Sequence, residues 1–338
     1  MTKNSQHSQV DSLERFDFGG PPQWALIRGQ SETSPVLLLV QQGPGLSLIQ
    51  DVPELQRQLH LEEHFRVVYW DQRGTGKSFN AQDREPIALQ TAVGDVRAMV
   101  RALCQRLGVA QLDVVGFSFG GSLALLACAD DSLPVRSLIC VAPDVNLLAA
   151  ERFAYSFALA EAERRGHKGA LRALRAIGEP PHADAKHFMT RVKWIGNFGG
   201  VHHGKNFGGL LRSNVARLWR SPHYNVREMF GALRGIEATA KRMLPGLQGF
   251  DLLARPLRIR PPVTIFQGRK DKAAPPDLGA ELAARLGVEV IWFDESAHLP
   301  YEEEPARFRQ ELLRFVSSAR QHPPSASEDH PLSPTRPV

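Results

Sequence analysis

The chain has 338 residues, of which 43% are hydrophobic and 23% are charged, so it is long and apolar enough to bury a sizeable core. Its net charge of +5 is a small, dispersed excess of 41 basic over 36 acidic residues, which argues against a nucleic-acid-binding protein. No segment approaches the ~20 consecutive apolar residues of a membrane-spanning helix, which argues against an integral membrane protein.

The two ends of the chain differ in composition from the middle. Residues 1–15 are mostly polar and contain no apolar segment of the kind a signal peptide needs, so we predict a disordered tail and a cytoplasmic protein. Residues 321–338 are rich in proline, which cannot continue a helix or a central strand, and we predict that they are disordered as well.

Six short apolar runs between the tails are typical of buried β-strands. They lie at 35–40, 66–70, 112–116, 135–141, 263–266 and 288–293. Because these runs are continuously apolar rather than alternating, they predict a mostly parallel sheet that is covered on both faces. Segments with helical spacing lie between or after them, at about 91–107, directly after Ser118 and at about 305–318. This alternation predicts a doubly wound α/β fold.

Three cysteines, Cys104, Cys128 and Cys140, lie within these apolar segments. Their spacing matches no zinc-binding or redox motif, and an odd number argues against a set of disulfides. We therefore predict buried free thiols, as expected in the reducing cytoplasm.

The alternation of strands and helices stops between residues 145 and 255. This segment has helical spacing broken by glycine-rich stretches and contains no convincing strand. It is predicted to be a helical cap inserted between two parts of one core, 16–144 and 256–320. Its aromatic residues either line a substrate pocket or form the core of the cap itself. They are Trp194, Phe198, Phe207 and Trp219.

The most informative motif is Gly-x-Ser-x-Gly at residues 116–120, between an apolar strand and an apolar helix. A serine on a sharp strand-to-helix turn adopts a strained backbone conformation, and side chains two residues to either side would collide there, so both positions are glycine. The turn exposes the hydroxyl at the carboxyl edge of the sheet and directs a helix N-terminus toward developing negative charge. Ser118 is therefore the predicted nucleophile.

A serine nucleophile needs a base, and the base needs a group that orients it. When the serine lies on such a turn, the acid and then the histidine follow it along the chain. Asp271 and His298 each come directly after a predicted strand, so both are expected at the same sheet edge as Ser118. Asp144, which follows an earlier predicted strand, is the alternative acid.

The loop Gln41-Gln42-Gly43-Pro44-Gly45 follows the first predicted strand. One N–H group of this loop, together with the N–H group of Phe119, is expected to bind the oxyanion that forms during attack on a carbonyl. The sequence leaves open whether Gln42 or Gly43 is the loop donor. This chemistry requires neither a metal ion nor an organic cofactor, and we predict neither.

Together these motifs resemble those of the proline iminopeptidase-like α/β-hydrolases. The loop at 41–45 is similar to the family's His-Gly-Gly-Pro-Gly loop, and residues 71–78 are similar to its Asp-Gln-Arg-Gly-x-Gly-x-Ser segment. Residues 268–271 and 296–300 resemble the loops that carry the family's acid and histidine. The resemblance implies the α/β-hydrolase fold and hydrolase activity, and it implies that Lys77 belongs to a structural loop rather than to a phosphate-binding loop.

The chain departs from the family pattern at several positions. Gln41 and Gln42 stand where the family has histidine and glycine, and Phe119 stands where its serine motif commonly has tryptophan. Family aminopeptidases bind the amine of the substrate through carboxylates of the cap. Glu228 and Glu237 are candidates for this role, although a solvated helix face explains them equally well.

Three functions follow from these patterns. The first is a peptidase of the proline iminopeptidase type. The second is a carboxylesterase, lactonase or thioesterase of small-metabolite metabolism. The third is a non-catalytic binding protein on the same fold. An intact triad favours the two enzymes, and the resemblance favours the peptidase. We expect a small-molecule or short-peptide substrate and neither a nucleic-acid nor a membrane partner. The oligomeric state is left undetermined by the sequence.

Overall fold

An eight-stranded β-sheet lies at the centre of the computed structural model, which describes residues 9–129, 133–182 and 184–321. The strands are β1 (Val10–Phe16), β2 (Gln23–Gly29), β3 (Val36–Val40), β4 (Arg66–Asp71), β5 (Leu112–Phe117), β6 (Val135–Val141), β7 (Val263–Gly268) and β8 (Val290–Phe293). Their order across the sheet is β1-β2-β4-β3-β5-β6-β7-β8.

The sheet is antiparallel where β1 and β2 join it and parallel everywhere else. Four strands of the parallel part, β3, β4, β5 and β7, are buried at every position, as continuously apolar runs require. The mostly parallel, doubly wound α/β sheet predicted from the sequence is therefore confirmed.

Eleven α-helices among the described residues lie either on the two faces of the sheet or between β6 and β7. They are α1 (Val52–Leu59), α2 (Leu89–Leu107), α3 (Phe119–Ala129), α4 (Leu147–Arg164), α5 (Lys168–Ile177), α6 (Ala185–Asn197), α7 (Phe207–Arg220), α8 (Val226–Met243), α9 (Pro276–Leu286), α10 (Pro300–Glu303) and α11 (Pro305–Gln321). Residues of α2, α3 and α9 belong to the apolar core on the face of the sheet that includes Leu38. Residues of α1 and α11 belong to the core on the other face, which includes Leu37, the neighbour of Leu38. Within the described ranges, no helix has both the length and the apolar character needed to cross a bilayer.

Both predicted tails need correction where they meet the folded chain. β1 pairs with β2 from Val10 onward, so the prediction of a disordered tail over 1–15 is wrong for residues 10–15. Because β1 is an edge strand whose residues alternate between half-buried and exposed, it lacks the continuous apolar run that marks the other strands. α11 includes Gln321, so the C-terminal tail was predicted one residue too early. Residues 1–8 and 322–338 of the predicted tails lie outside the described residues.

Five helices, α4 to α8, lie between β6 and β7, inside the segment predicted as an inserted cap. The chain enters and leaves this group at one place, where Asn146 pairs with Asp251 in a two-residue bridge. Trp194 and Phe198 belong to an apolar core that is separate from the two cores flanking the sheet. We refer to α4–α8 as the helical insertion. The domain boundaries at 145 and 255 remain a prediction.

The three cysteines are free thiols. Cys128 and Cys140 are buried and Cys104 is half-buried. Burial raises the pKa of Cys128 to about 12, so this thiol stays protonated and unreactive at neutral pH.

Candidate active site

Ser118 occupies a sharp turn between β5 and α3 at the carboxyl edge of the sheet. Its backbone φ angle is 50°, in the left-handed region that non-glycine residues rarely adopt. The Ser118 N–H donates to the carbonyl of Val141 at the end of β6, which attaches the turn to the neighbouring strand. Every residue of α3 is buried, so the helix cannot move away from the turn. The hydroxyl of Ser118 is therefore held at one position.

The glycines on either side of Ser118 are required by close backbone contacts. A Cβ atom on Gly120 would lie 2.2 Å from the carbonyl oxygen of Gln41. A Cβ atom on Gly116 would lie 2.5 Å from the Cα atom of Gly121. Both distances are far shorter than van der Waals contact. The start of α3 can therefore approach the end of β3 only without a side chain at position 120, and the end of β5 only without one at position 116.

His298 joins the three predicted catalytic side chains in one series of hydrogen bonds. Its Nε2 atom lies 3.1 Å from the hydroxyl oxygen of Ser118, and its Nδ1 atom lies 2.8 Å from Oδ2 of Asp271. The three residues follow β5, β7 and β8, so the parallel sheet brings them to one edge. Both ring nitrogens reach their partners at once, which is the arrangement a histidine needs to take a proton from a hydroxyl.

Asp271 is fully buried, and several donors hold its carboxylate. Oδ1 accepts from the backbone N–H groups of Ala273 and Ala274. Oδ2 accepts from the side-chain amide of Gln267 in addition to His298. These bonds prevent the carboxylate from turning away from the imidazole. No sequence motif indicated Gln267, because its contact depends on how the loop after β7 folds back.

The carboxylates near His298 make its imidazole more basic. Burial alone would lower the pKa of His298, but the charge and the hydrogen bond of Asp271 raise it, and the charge of Asp144 raises it further. The net result is a pKa above the ordinary value of 6.5. A more basic imidazole accepts the proton of Ser118 more readily.

Three backbone N–H groups are available beside the Ser118 hydroxyl. Gln42, Gly43 and Phe119 line the same cavity as Ser118. Phe119 is the first residue of α3, so its N–H has no acceptor inside the helix. Among the described residues, no backbone carbonyl accepts from the N–H of Gln42 or Gly43. The geometry therefore keeps both loop donors as candidates.

The two glutamines that depart from the family pattern have structural partners. The side-chain oxygen of Gln41 accepts from the N–H of Gln72 and the hydroxyl of Thr75. The side-chain amide of Gln42 donates to the hydroxyl of Tyr301 at 3.3 Å. Both side chains thus fix the loop at 41–45 to neighbouring segments.

A cavity of about 320 Å³ lies between the sheet edge and the helical insertion, with Ser118 and His298 in its wall. Most of the wall is apolar. Its apolar residues include Leu147, Met189, Ile195, Leu210, Ile236 and Leu247. The cavity has the size and character of a site for a small organic molecule or a short peptide.

Most charged residues of the cavity wall are paired with one another. Arg191 of the insertion lies 2.8 Å from Glu151, and both side chains are almost completely buried. Arg217 contacts Asp51 at 3.2 Å and Glu302 at 2.7 Å. Pairing offsets part of the free-energy cost of burying these charges, and they are not available to a substrate unless a pair breaks.

Asp144 is the exception among the charged residues of the cavity wall. In the described part of the chain, its carboxylate makes no hydrogen bond or ion pair. It is not the acid that orients His298, because Nδ1 of the imidazole is bonded to Asp271. Burial raises the pKa of Asp144 to about 6, while the charge of His298 acts in the opposite direction. The cavity thus contains one carboxylate with free hydrogen-bonding capacity close to His298.

The aromatic residues singled out in the sequence have different positions. Phe207 lines the cavity. Trp194 and Phe198 pack inside the helical insertion, and Trp219 is 72% exposed. Trp194 and Phe198 therefore form part of a separate cap core, as one of the two predicted alternatives has it. Of the four residues, Phe207 lines the cavity, and Trp219 does neither.

The carboxylates considered for amine binding do not line the cavity. Glu228 accepts from Lys77 at 2.8 Å, and Glu237 pairs with Lys241 on the exposed side of α8. Lys77 also donates to the backbone carbonyl of His223. It therefore connects a core loop to the insertion, in agreement with the structural role implied by the resemblance.

Comparisons with known proteins agree with this architecture. A model of the alpha/beta hydrolase fold family matches residues 35–305. The chain is 27% identical over 325 residues to the probable aminopeptidase YbaC of Bacillus subtilis, covering 94% of this chain and 99% of that protein. It is 25% identical over 258 residues to a proline iminopeptidase of Heyndrickxia coagulans, covering 75% of this chain and 81% of that protein.

A solved structure with a similar fold is the 2-hydroxy-6-oxo-6-phenylhexa-2,4-dienoate hydrolase of Rhodococcus sp. strain RHA1. The TM-score is 0.61 and the identity 19%, with 92% of this chain and all of that chain (100%) covered. At this identity the likeness shows a shared fold and carries no information about the substrate.

Replacing Gly120 by alanine should destabilise the protein, because the added Cβ atom would overlap the backbone of Gln41. We expect the free energy of unfolding, measured by urea denaturation, to fall by roughly 2–3 kcal/mol. Gly94→Ala is the matched control: this position lies inside α2, and nothing lies within 4 Å of a Cβ atom there. That substitution should raise the stability by up to about 1 kcal/mol. Equal effects of the two substitutions would contradict the close contact between α3 and β3.

Proposed function

The chain belongs to the α/β-hydrolase family, and on this premise we propose that it is a serine hydrolase with Ser118 as nucleophile, His298 as base and Asp271 as the acid that orients the base. The predicted fold class and the predicted resemblance to proline iminopeptidase-like α/β-hydrolases are confirmed by the family match and the curated relatives. The observation that carries the proposal is the contact of one imidazole with both a hydroxyl and a buried carboxylate.

In the proposed reaction, His298 takes the proton from the Ser118 hydroxyl while its oxygen attacks the substrate carbonyl. The tetrahedral intermediate collapses, the bond to the leaving group breaks, and His298 gives the proton to the leaving group. Water then attacks the acyl-enzyme by the same route, which releases the acid product and restores the hydroxyl. Asp271 keeps the imidazole in the tautomer whose Nε2 atom accepts a proton.

The negative charge on the carbonyl oxygen would be stabilised by backbone donors. The N–H of Phe119 and one N–H from Gln42 or Gly43 are the candidates, each worth roughly 3 kcal/mol in the transition state. The N-terminus of α3 adds a favourable electrostatic field at the same point. The close contact between Gly120 and Gln41 supports this pairing of donors, because it holds the loop next to the start of α3.

We propose further that the substrate is a short peptide with a free N-terminal amine. Two curated relatives are named as an aminopeptidase and a proline iminopeptidase. Asp144 supports this proposal, because it is an unpaired carboxylate close to His298 and is ionised above a pKa of about 6. It would bind the ammonium group while the apolar wall holds a nonpolar first residue such as proline.

A carboxylesterase, lactonase or thioesterase is the second candidate function. The observation that favours it is the apolar wall of the cavity, in which most charged side chains are already paired. An uncharged acyl group fits such a wall as well as a proline ring does. A non-catalytic binding protein is disfavoured by the hydrogen bond between His298 and Ser118.

The proposed nucleophile is tested by labelling with a fluorophosphonate, which reacts with activated serine hydroxyls. We expect the wild-type protein to be labelled and Ser118→Ala to remain unlabelled. Ser122→Ala is the matched control, because Ser122 lies one turn further along α3, is fully buried and donates to the carbonyl of Asp144. This control should label like the wild type. An unlabelled wild-type protein, or a labelled Ser118→Ala protein, would contradict the proposal.

The substrate class is tested with aminoacyl anilides, including proline anilide, with their N-acetylated forms and with short acyl esters. We expect kcat/KM to be at least about 100-fold higher for free-amine anilides than for acetylated ones. Asp144→Asn should lower kcat/KM for the free-amine anilides by about 30-fold or more, since it removes the partner of a buried charge. Ester hydrolysis should change by less than about three-fold. Turnover of esters without cleavage of any anilide would eliminate the peptidase.

The pH dependence of ester hydrolysis tests the environment of His298. Only the neutral imidazole acts as a base, so kcat/KM should rise with pH through a pKa above 6.5. Asp144→Asn removes a nearby negative charge that favours the protonated imidazole, so the rising limb of the pH profile of kcat/KM should move to lower pH. An ester without an amine is used so that substrate binding does not depend on Asp144. A limb that stays in place or moves to higher pH would refute this electrostatic coupling.

A further inference from the structure

Exposed apolar side chains are concentrated on two consecutive helices of the insertion. Seven large hydrophobic residues are exposed in the described part of the chain, and six of them lie on α7 and α8. The seventh, Leu13, lies on the edge strand β1. The six are Leu211, Val215, Trp219, Val226, Phe230 and Leu233, and we refer to them as the α7–α8 patch.

Helical spacing places the members of the patch on the outer faces of their helices. Those on α7 are four residues apart, and those on α8 are three or four residues apart, so each set forms one stripe. On the inner sides, Leu218 of α7 and Ala232 of α8 are buried in the same apolar core. Only five residues, 221–225, separate the two helices. The α7–α8 patch therefore consists of two apolar stripes joined through this short turn, and grouped apolar side chains mark an interaction surface more often than scattered ones do.

Arginines without acidic partners accompany the patch. Arg212 and Arg220 on α7 and Arg227 and Arg234 on α8 are all exposed. Among the described residues, none of the four makes an ion pair, in contrast to Arg217 on the inner side of α7. The exposed side of the two helices therefore combines large apolar groups with uncompensated positive charge.

The acidic residues of these helices do not neutralise that charge. α7 contains no aspartate or glutamate. On α8, Glu228 is bonded to Lys77 and Glu237 to Lys241. The positive charge next to the patch thus remains available to an external anionic partner.

We propose that the α7–α8 patch docks on the anionic phospholipid surface of a bilayer, as a peripheral contact that does not span the membrane. Trp and Phe side chains beside arginines are the composition of helices that lie in the headgroup region, with apolar groups inserted and cations against lipid phosphates. The expectation of no membrane partner rested on the lack of a spanning segment, which such a contact does not need. The proposal is independent of the proposed function.

A second copy of the chain is a poorer occupant of this surface. A two-fold dimer would place the same patch on both sides of the interface, so four arginines of one protomer would face four of its partner. Like charges brought together across an interface are unfavourable, whereas an anionic lipid surface offers charges of the opposite sign. Charge complementarity therefore favours an anionic bilayer over a second copy of the chain as the partner of the α7–α8 patch.

The position of α7 connects this surface to the cavity. Phe207, Leu210 and Asn214 on the inner side of α7 line the cavity that contains Ser118. Leu211 lines the cavity and is also 48% exposed, so it stands at the border between the cavity and the patch. Docking through the patch would hold the rim of the cavity against the lipid surface.

The proposal is tested by co-sedimentation of the full chain with vesicles at about 0.1 M salt. One set contains phosphatidylcholine alone, and the other contains about one-third phosphatidylglycerol. We expect the wild type to bind the anionic vesicles at least about ten-fold more strongly, and to be released at about 0.5 M salt. Two double variants should each bind the anionic vesicles at least about ten-fold more weakly than the wild type. They are Trp219→Ala with Phe230→Ala, and Arg220→Glu with Arg227→Glu.

Two controls separate docking from general charge and from misfolding. The control variant Arg258→Glu with Arg260→Glu changes the net charge by the same amount as Arg220→Glu with Arg227→Glu. Its two exposed positions precede β7, at the sheet edge opposite the insertion, so it should bind vesicles like the wild type. All variants should keep the thermal transition of the wild type, because the changed side chains are exposed. Equal binding to both vesicle types, no binding to either, or unchanged binding by the patch variants would overturn the proposal. Light scattering provides a further test. A wild-type dimer that is dissociated by the double substitution Trp219→Ala and Phe230→Ala would also overturn the proposal, because the partner of the patch would then be a second copy of the chain.

Discussion

The approach of the start of α3 to the end of β3 is the contact on which the candidate site depends. Only a residue without a side chain fits at position 120, because a Cβ atom there would lie 2.2 Å from the carbonyl oxygen of Gln41. The contact forces Ser118 into its left-handed conformation and sets the distance between the loop at 42–43 and the N-terminus of α3. The predicted nucleophile and the candidate oxyanion donors are therefore positioned by one packing interaction, and His298 needs only to reach a hydroxyl that is already fixed.

A second constraint ties the helical insertion to the sheet. The buried carboxylate of Asp71, at the end of β4, collects donors from three separate segments. They are the N–H groups of Leu48, Ile49 and Lys77 and the hydroxyls of Ser47 and Tyr224. Tyr224 comes from the turn before α8, so the same carboxylate that organises the core loops also anchors the insertion above them. This explains why the segment at 71–78, which resembles the end of a phosphate-binding loop, is structural. The N–H groups of Gln72, Arg73 and Lys77 donate to protein side chains, those of Gln41, Gln23 and Asp71 respectively.

The two sides of α7 have opposite roles. Its inner side closes the cavity and is attached to the core through Arg217, which contacts Asp51 and also Glu302, four residues beyond His298. Its outer side carries Trp219 and unpaired arginines. A helix fixed by ion pairs on one side can present apolar groups on the other without losing its place over the cavity. Apart from Leu211, which borders both the cavity and the patch, the proposed chemistry and the proposed lipid contact use different residues of α7. Either proposal can therefore hold without the other.

The sequence by itself determined the parallel sheet, the helical insertion and the positions of Ser118, Asp271 and His298 at strand ends, because burial on both faces and a strained turn leave local patterns in residue type. It did not reveal β1, whose residues alternate between half-buried and exposed, or β2, which is mostly buried. Nor did it reveal the pairing of Arg191 with Glu151 or the contact of Gln267 with Asp271. Only the tertiary structure decided that Asp144 lines the cavity without a partner among the described residues, while Glu228 and Glu237 lie outside the cavity. The physical reason is that a charged side chain has the same local signature whether it faces water, a counter-ion or a substrate. Packing decides which of these it meets, and the partner of Glu228, for example, is a lysine 151 residues away in the chain.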